Sequence, residues 1–226
     1  MWQKVPRREQ ELRCQLRETF KNPMDFLSKL KRWISKFCIK NPILYVGMKD
    51  IKANVTLHPD TARQWLLLYE DQSNVIYRDK YLLVPNNPER FNYWHCVLGH
   101  QGFTAGRHFW EVAVESAEGW VLMVASKCEW RRGCFKVRRE GRIWCVRMEE
   151  DEYEVSNCRR YSPLSLSEKP RRIRVTLDYE GGCLSFSDAY SGTELYTFSE
   201  DSFYGETLLP FIWLWGKAPL SISWGD

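Results

Sequence analysis

Histidine, cysteine and clustered carboxylates are the residues of this chain best suited to chemistry, but their spacing does not form a catalytic site. His95 and Cys96 are adjacent, and because neighbours on a strand point to opposite faces, they would make a poor base and nucleophile pair. The acidic run Glu149–Glu152 could attract a cation, yet it lacks alternating ligand spacing, so we predict a solvated loop. Neither a Gly-x-Ser-x-Gly elbow nor a phosphate-binding glycine loop before a helix occurs. The sequence therefore predicts no catalytic residue, no metal site and no cofactor.

The eight cysteines indicate reduced thiols rather than disulfides or zinc ligands. They show no Cys-x-x-Cys spacing and no Cys/His cluster of the kind that binds zinc. The sequence also has no signal-peptide-like apolar start and no apolar run long enough to cross a membrane. A cytoplasmic location is the expectation that follows.

One segment has the composition of a binding site. Lys127–Arg142 holds seven basic residues and two acidic ones, with Trp130 and Phe135 among them. Aromatic anchors beside arginine are typical of interface hot spots, and arginine offers forked donors to carboxylates or phosphates. In the alternative interpretation, the arginines form a solvated rim that the acidic residues at 149–154 neutralise. The first interpretation predicts an acidic partner.

The elements that must position these residues are predicted to be β-strands. Eleven Trp, eleven Tyr and eleven Phe suit strands and sandwich cores. Residues 110–115 and 172–178 alternate between apolar and polar side chains, which predicts one buried face and one wet face carrying Glu111 and Asp178. Trp120–Ser126 and Leu208–Trp215 are more continuously apolar and are predicted as interior strands, and Gly-Gly at 181–182 predicts a hairpin. Many short strands without intervening helices indicate an all-β sandwich.

The first fifty residues differ from the rest. They hold twelve Lys or Arg against five Asp or Glu, which leaves 21 against 24 in residues 51–226, so no nucleic-acid partner is expected. Residues 23–40 carry an apolar stripe beside basic residues, which predicts an amphipathic helix. This helix could attach to an anionic membrane surface or a partner groove, or could be a connector that packs on protein, including a second copy in a homodimer.

Three segments together resemble a known family. Val55–Ala62, Val84–Phe91 and Gly102–Val112 are similar, in order and separation, to the PRY–SPRY domain of tripartite-motif (TRIM) and butyrophilin-type proteins. Leu177–Glu180 and Leu195–Phe198 are similar to the later hairpin and strand of the same domain. The resemblance implies a helical connector at 1–50 and a PRY–SPRY domain at 51–226, divided into PRY at about 52–105 and SPRY at about 106–226.

The resemblance implies a two-sheet antiparallel β-sandwich preceded by short α-helices, which binds partners through its loops and performs no chemistry. Its variable segments correspond here to partner-binding candidates Tyr93, Trp94, His95, Trp130, Arg131, Arg132, Phe135, Lys136, Trp213 and Trp215. The aromatic residues would be buried by a protein or peptide, and the basic ones would orient an acidic partner.

Two functional contexts follow from the resemblance. A TRIM-like ubiquitin ligase or related innate-immunity protein would use the domain to recognise its substrate. Because RING-type and B-box-type Cys/His modules are absent from this sequence, we expect it to contain only the substrate-recognition part of such a protein. A butyrophilin-like intracellular signalling domain would instead sense a small anionic ligand. Against that alternative, Val121 and Glu154 stand where phosphoantigen-binding relatives place a histidine and a basic residue.

Overall fold

Fourteen β-strands form the described part of the chain in this computed structural model, which describes residues 50–223 except 86, 116, 127–141, 158–160, 201–202 and 204. The predicted helical connector, including the helix at 23–40, lies outside the described residues. Five of the predicted binding residues lie outside them as well, namely Trp130, Arg131, Arg132, Phe135 and Lys136.

The strands are short and follow one another along the chain. They are β1 (Ile51–Lys52), β2 (Leu66–Leu68), β3 (Asn74–Tyr77), β4 (Cys96–Leu98), β5 (Arg107–Ala113), β6 (Trp120–Ser126), β7 (Ile143–Glu149), β8 (Glu152–Ser156), β9 (Tyr161–Leu164), β10 (Arg172–Asp178), β11 (Cys183–Asp188), β12 (Glu194–Ser199), β13 (Leu208–Leu214) and β14 (Leu220–Ser223).

Two sheets are built from these strands. The eight-stranded sheet has the order β12-β11-β10-β5-β14-β3-β2, with β1 beside β5, and the six-stranded sheet has the order β4-β13-β6-β7-β8-β9. The predicted two-sheet antiparallel sandwich is confirmed, with one difference. The two residues of β1 pair with β5 in parallel, on the same side of β5 as β14. The Gly-Gly hairpin and both interior strands also form as the sequence predicts, as β10–β11, β6 and β13.

The main core lies between the inner faces of the two sheets. Its largest fully buried side chains include Trp120 and Trp144 from the six-stranded sheet and Phe186 from the eight-stranded sheet. Each such aromatic removes about 150–250 Å² of surface from water, so these residues contribute much of the burial that stabilises the fold. The alternation at residues 172–178 directs Ile173, Val175 and Leu177 into this core.

Glu111 and Asp178 correct the prediction of a wet outer face. Both lie on the outer face of the eight-stranded sheet, but Glu111 is only 7% exposed and Asp178 only 3% exposed. The cross-strand neighbour of Glu111 is Arg174, whose Nη2 donates to Glu111 Oε1 at 2.6 Å, and that of Asp178 is Arg107. Because the long stems of neighbouring arginines cover the carboxylates, an outward direction does not give exposure here.

Candidate partner-binding surface

The outer faces of the two sheets differ in chemistry. The eight-stranded sheet presents polar rows, such as Thr176, Ser185 and Thr197 on three adjacent strands. The outer side of the six-stranded sheet instead carries a second apolar cluster, separate from the main core, which contains Cys96, Leu98, Val121, Met123, Ala125, Ile143, Cys145 and Phe211. The members of this cluster are themselves buried, and partly buried side chains, among them Trp94, Trp213 and Trp215, pack over them. These covering side chains form the surface that a partner would meet.

Three indoles in mutual contact lie on this cluster and form what we call the tryptophan platform: Trp94, Trp213 and Trp215. Trp213 is central, with ring centroids 4.4 Å from Trp94 and 5.0 Å from Trp215, both in inclined orientations. Tyr93 extends the platform, with its ring 5.0 Å from Trp94 and 65% of its surface exposed. All three tryptophans are half-buried, which leaves part of each ring available to a partner.

Strand register positions the platform. Trp213 on β13 lies opposite Cys96 of β4 on one side and Val121 of β6 on the other, so its indole stands on the outer face. Trp215 follows β13, and its backbone N–H donates to the Gly119 carbonyl at 3.0 Å. Gly119 has φ +66°, and a Cβ on it would lie 2.2 Å from Trp215 Nε1. Only glycine at position 119 therefore lets the Trp215 ring occupy its place.

Replacing Gly119 with alanine is expected to displace Trp215 and loosen the platform. The matched control is Gly192→Ala, because Gly192 has a similar φ of +71° but nothing within 4 Å of its Cβ. Both variants should lose about 1–2 kcal/mol of stability from backbone strain. Only Gly119→Ala should also change the near-ultraviolet circular dichroism of the platform tryptophans, and equal spectra for the two variants would contradict this expectation.

A charged flank adjoins the platform on β7, β8 and β9. Val121, beside Trp213, lies opposite Arg147, which in turn lies opposite Glu154. Arg147 donates to Glu154, approaches Glu149 at 3.3 Å, and lies 4.0 Å from the centre of the Tyr161 ring, which is 50% exposed. Two carboxylates thus neutralise this arginine. The sequence-based site residues did not include Arg147 and Tyr161, because only the pairing of β7, β8 and β9 brings these two residues together on the same sheet as Trp213.

His95 does not join the tryptophan platform. Its ring lies 4.8 Å from Tyr77 and 6.3 Å from Trp65, on the side of the sandwich formed by β2 and β3. Burial, and secondarily the charge of Arg63, lowers the pKa of His95. Burial raises the pKa of Cys96 well above its ordinary value, so this thiol stays protonated and is not a nucleophile.

Acidification is expected to destabilise the domain through His95 and His100. His100 stacks on His58 with ring centroids 4.1 Å apart, and burial followed by the His58 charge lowers its pKa despite nearby Asp60. In the unfolded chain both histidines bind protons at their ordinary pKa of 6.5, whereas in the folded chain they do so only at lower pH. The free energy of unfolding therefore falls as the pH drops from 6.5 toward the lowered pKa values of the folded state.

Thermal unfolding at about pH 7 and about pH 5.5 measures this effect. The double substitution His95→Gln and His100→Gln should reduce the fall in melting temperature. Carboxylates with lowered pKa, such as Asp71, lose their contribution only below their ordinary value of 3.8 and so do not contribute in this range. An unchanged slope in the double variant would contradict the assignment.

Within the part of the chain that the structure describes, no group of three or more His, Cys, Asp or Glu residues is placed to hold a metal ion. No helix among the same residues has the length and apolarity needed to cross a lipid bilayer.

Comparison with family models decides what kind of domain carries this surface. The SPRY-associated domain model, PRY, matches residues 55–103, and the SPRY domain model matches residues 107–222. The chain belongs to the SPRY domain family. The resemblance to PRY–SPRY proteins of the TRIM and butyrophilin type is confirmed, and domains of this family generally bind proteins or peptides and are generally non-catalytic.

Known relatives of this PRY–SPRY domain include both butyrophilin and TRIM proteins. Butyrophilin subfamily 1 member A1 of Bos taurus is 42% identical over 171 residues, which are 75% of this chain and 32% of that protein. Tripartite motif-containing protein 10 of Homo sapiens is 32% identical over 210 residues, which are 92% of this chain and 41% of that protein. The chain thus spans less than half the length of these relatives.

Solved structures agree with the fold. The crystal structure of the TRIM65 PSpry domain aligns with a TM-score of 0.65 and 26% identity over 77% of this chain and 92% of that one. Stonustoxin aligns with a TM-score of 0.64 and 19% identity over 76% of this chain and 29% of its own, which shows a shared fold alone.

Proposed function

We propose that this PRY–SPRY domain recognises a protein or peptide through the tryptophan platform and the segment that follows β6. The observation that carries the proposal is the contiguous group of Trp94, Trp213 and Trp215 on the outer face of the six-stranded sheet, outside the main core. Large aromatic side chains with low conformational freedom are the usual anchors of protein interfaces. A partner that covers these three side chains would bury the part of each indole that is still exposed in the free domain.

The proposed interface is wider than the platform. β6 ends at Ser126, and the segment that follows carries the predicted hot-spot residues Trp130, Arg131, Arg132, Phe135 and Lys136, which lie outside the described residues. The basic residues of that segment would orient an acidic sequence in the partner.

The described face gives little support to the butyrophilin-like alternative of a small anionic ligand. Val121, at the centre of this face, is only 1% exposed. The charge of the neighbouring Arg147 is already neutralised by Glu149 and Glu154. A small anion would have to displace these carboxylates. We therefore favour a protein partner. In this proposal, the domain belongs to a TRIM-like ubiquitin ligase in the cytoplasm and binds the substrate of that ligase.

Comparative capture from cell lysate tests the proposal. The baits are the full chain, its Trp94→Ala and Trp213→Ala double variant, and a Tyr190→Ala control, since Tyr190 is 70% exposed and lies in the turn after β11. Partners retained by the parent and the control but lost by the double variant would support the proposed surface. Partners retained by all three baits, with each fold verified by circular dichroism, would refute it.

A further inference from the structure

A second site lies beside the platform, where the chain between β1 and β2 approaches β4. Arg63 anchors this region, because its backbone N–H donates to the Cys96 carbonyl at 3.1 Å. His95, Trp65 and Tyr77 form a connected aromatic group next to it, and Tyr81 packs edge-on against Trp65 with centroids 6.2 Å apart. Tyr81 is 54% exposed, so the group reaches the surface.

The guanidinium of Arg63 has an unusual environment. Its Nε and Nη1 atoms are buried and have no hydrogen-bond partner, and Arg63 forms no ion pair within the described residues. Buried donors of this kind are normally satisfied, whereas the half-buried Arg63 side chain leaves two of its donors without a partner. Arg90 shows the contrast, because it donates to the carbonyls of Pro59, Ala62 and Pro85.

The two ionisable side chains that sense the charge of Arg63 do not neutralise it. Burial raises the pKa of the Cys96 thiol, so no thiolate forms there, and burial lowers the pKa of His95, so its ring stays neutral near pH 7. The neighbourhood thus offers an unneutralised cation, a neutral imidazole and aromatic walls. That combination suits an anion from outside the described chain.

We propose that Arg63 forms a second binding site, distinct from the tryptophan platform, for a carboxylate or phosphate group attached to an aromatic or apolar body. The guanidinium would donate to the oxyanion, and Trp65 and Tyr81 would pack against the attached body. Aromatic residues alone would equally suit a quaternary ammonium ion, but the adjacent guanidinium repels a cation. The site therefore selects ligands by charge and shape together.

Nuclear magnetic resonance of the full chain tests the site directly through the Nε–Hε signal of Arg63 and the ring signals of His95. The probes are phenylacetate, which stands for a carboxylate on an aromatic body, phenyl phosphate, inorganic phosphate and choline. We expect saturable shifts of both residues with the two aromatic anions, weaker shifts with inorganic phosphate, and none with choline. The tighter of the two aromatic anions identifies whether a carboxylate or a phosphate is the natural group.

Substitutions separate a binding role from a structural one. Arg63→Met should abolish the anion-dependent shifts of His95 while leaving the melting temperature unchanged or raised, since it removes two unsatisfied buried donors. Arg171→Gln is the control, because Arg171 is 72% exposed and pairs with Glu115 at the far end of β5, and it should leave the shifts intact. No saturable shift of the Arg63 signal with any anion, shifts with choline alone, or His95 shifts retained in Arg63→Met would each overturn the proposal.

Discussion

Replacing Asp178 with alanine is expected to lower the free energy of unfolding by about 2–4 kcal/mol, because a buried ion pair and a buried hydrogen bond are both lost. Asp178 Oδ2 lies 3.7 Å from Arg107 Nε, and both side chains are almost fully buried. Arg107 keeps a second carboxylate partner, Asp50, at 2.6 Å, so its charge is not left alone. Asp178 Oδ1 also accepts a hydrogen bond from the Gly181 backbone at 2.7 Å, which holds the turn between β10 and β11, and the substitution leaves this amide without its acceptor.

Urea unfolding of the full chain measures this difference. The control is Asp79→Ala, because Asp79 pairs with Lys217 at 3.0 Å while both side chains are mostly exposed. A surface pair of this kind contributes about 1 kcal/mol or less. Similar losses in the two variants would show that the Arg107 and Asp178 pair does not stabilise the sandwich as the structure indicates.

Replacing Trp213 with alanine is expected to weaken partner binding by about 2 kcal/mol or more, which is roughly thirtyfold in affinity. Trp213 is the residue that contacts both other members of the platform, so its removal eliminates two aromatic contacts as well as its own surface. The neighbouring strands keep their pairing, because the side chain lies on the outer face and leaves the core of the sandwich unchanged.

Calorimetric titration with the captured partner measures the loss. Tyr190→Ala, which removes an exposed ring on the other sheet, should bind as the parent does. An affinity for Trp213→Ala within about threefold of the parent would remove the platform from the interface, since a hot-spot residue has a larger effect.

The sequence predicts the fold well because its signals are local. Alternation at 172–178 requires only that neighbouring residues face opposite sides, and the Gly-Gly hairpin requires only a turn that tolerates Gly182 at φ +66°. The sequence also indicates where Trp94 and Trp213 lie, since Trp94 directly precedes the motif of β4 and Trp213 belongs to the apolar run that forms β13. These parts of the structure depend on residues close together in the chain.

The remaining features depend on strand register, which the sequence does not display. Arg147 on β7 contacts the Tyr161 ring on β9 only because of the register with β8, the strand between them. Arg147 lies opposite Glu154, and Glu154 lies opposite Pro163, two residues from Tyr161. Glu111 is buried only because Arg174 stands opposite it on β10. His95 contacts Tyr77 and Trp65 rather than Trp94, because the bend before β4 directs it toward β2 and β3, and no local pattern displays that bend.

Footprinting of the complex by hydroxyl radicals and mass spectrometry tests the central claim most directly, because it reads every exposed aromatic side chain at once. The measurement compares oxidation rates of Tyr93, Trp94, Trp213 and Trp215 with that of Tyr190, with and without the captured partner. The account predicts slower oxidation at the first four residues on binding and an unchanged rate at Tyr190. Protection of Tyr190 and the outer face of the eight-stranded sheet, with the platform unchanged, would contradict it.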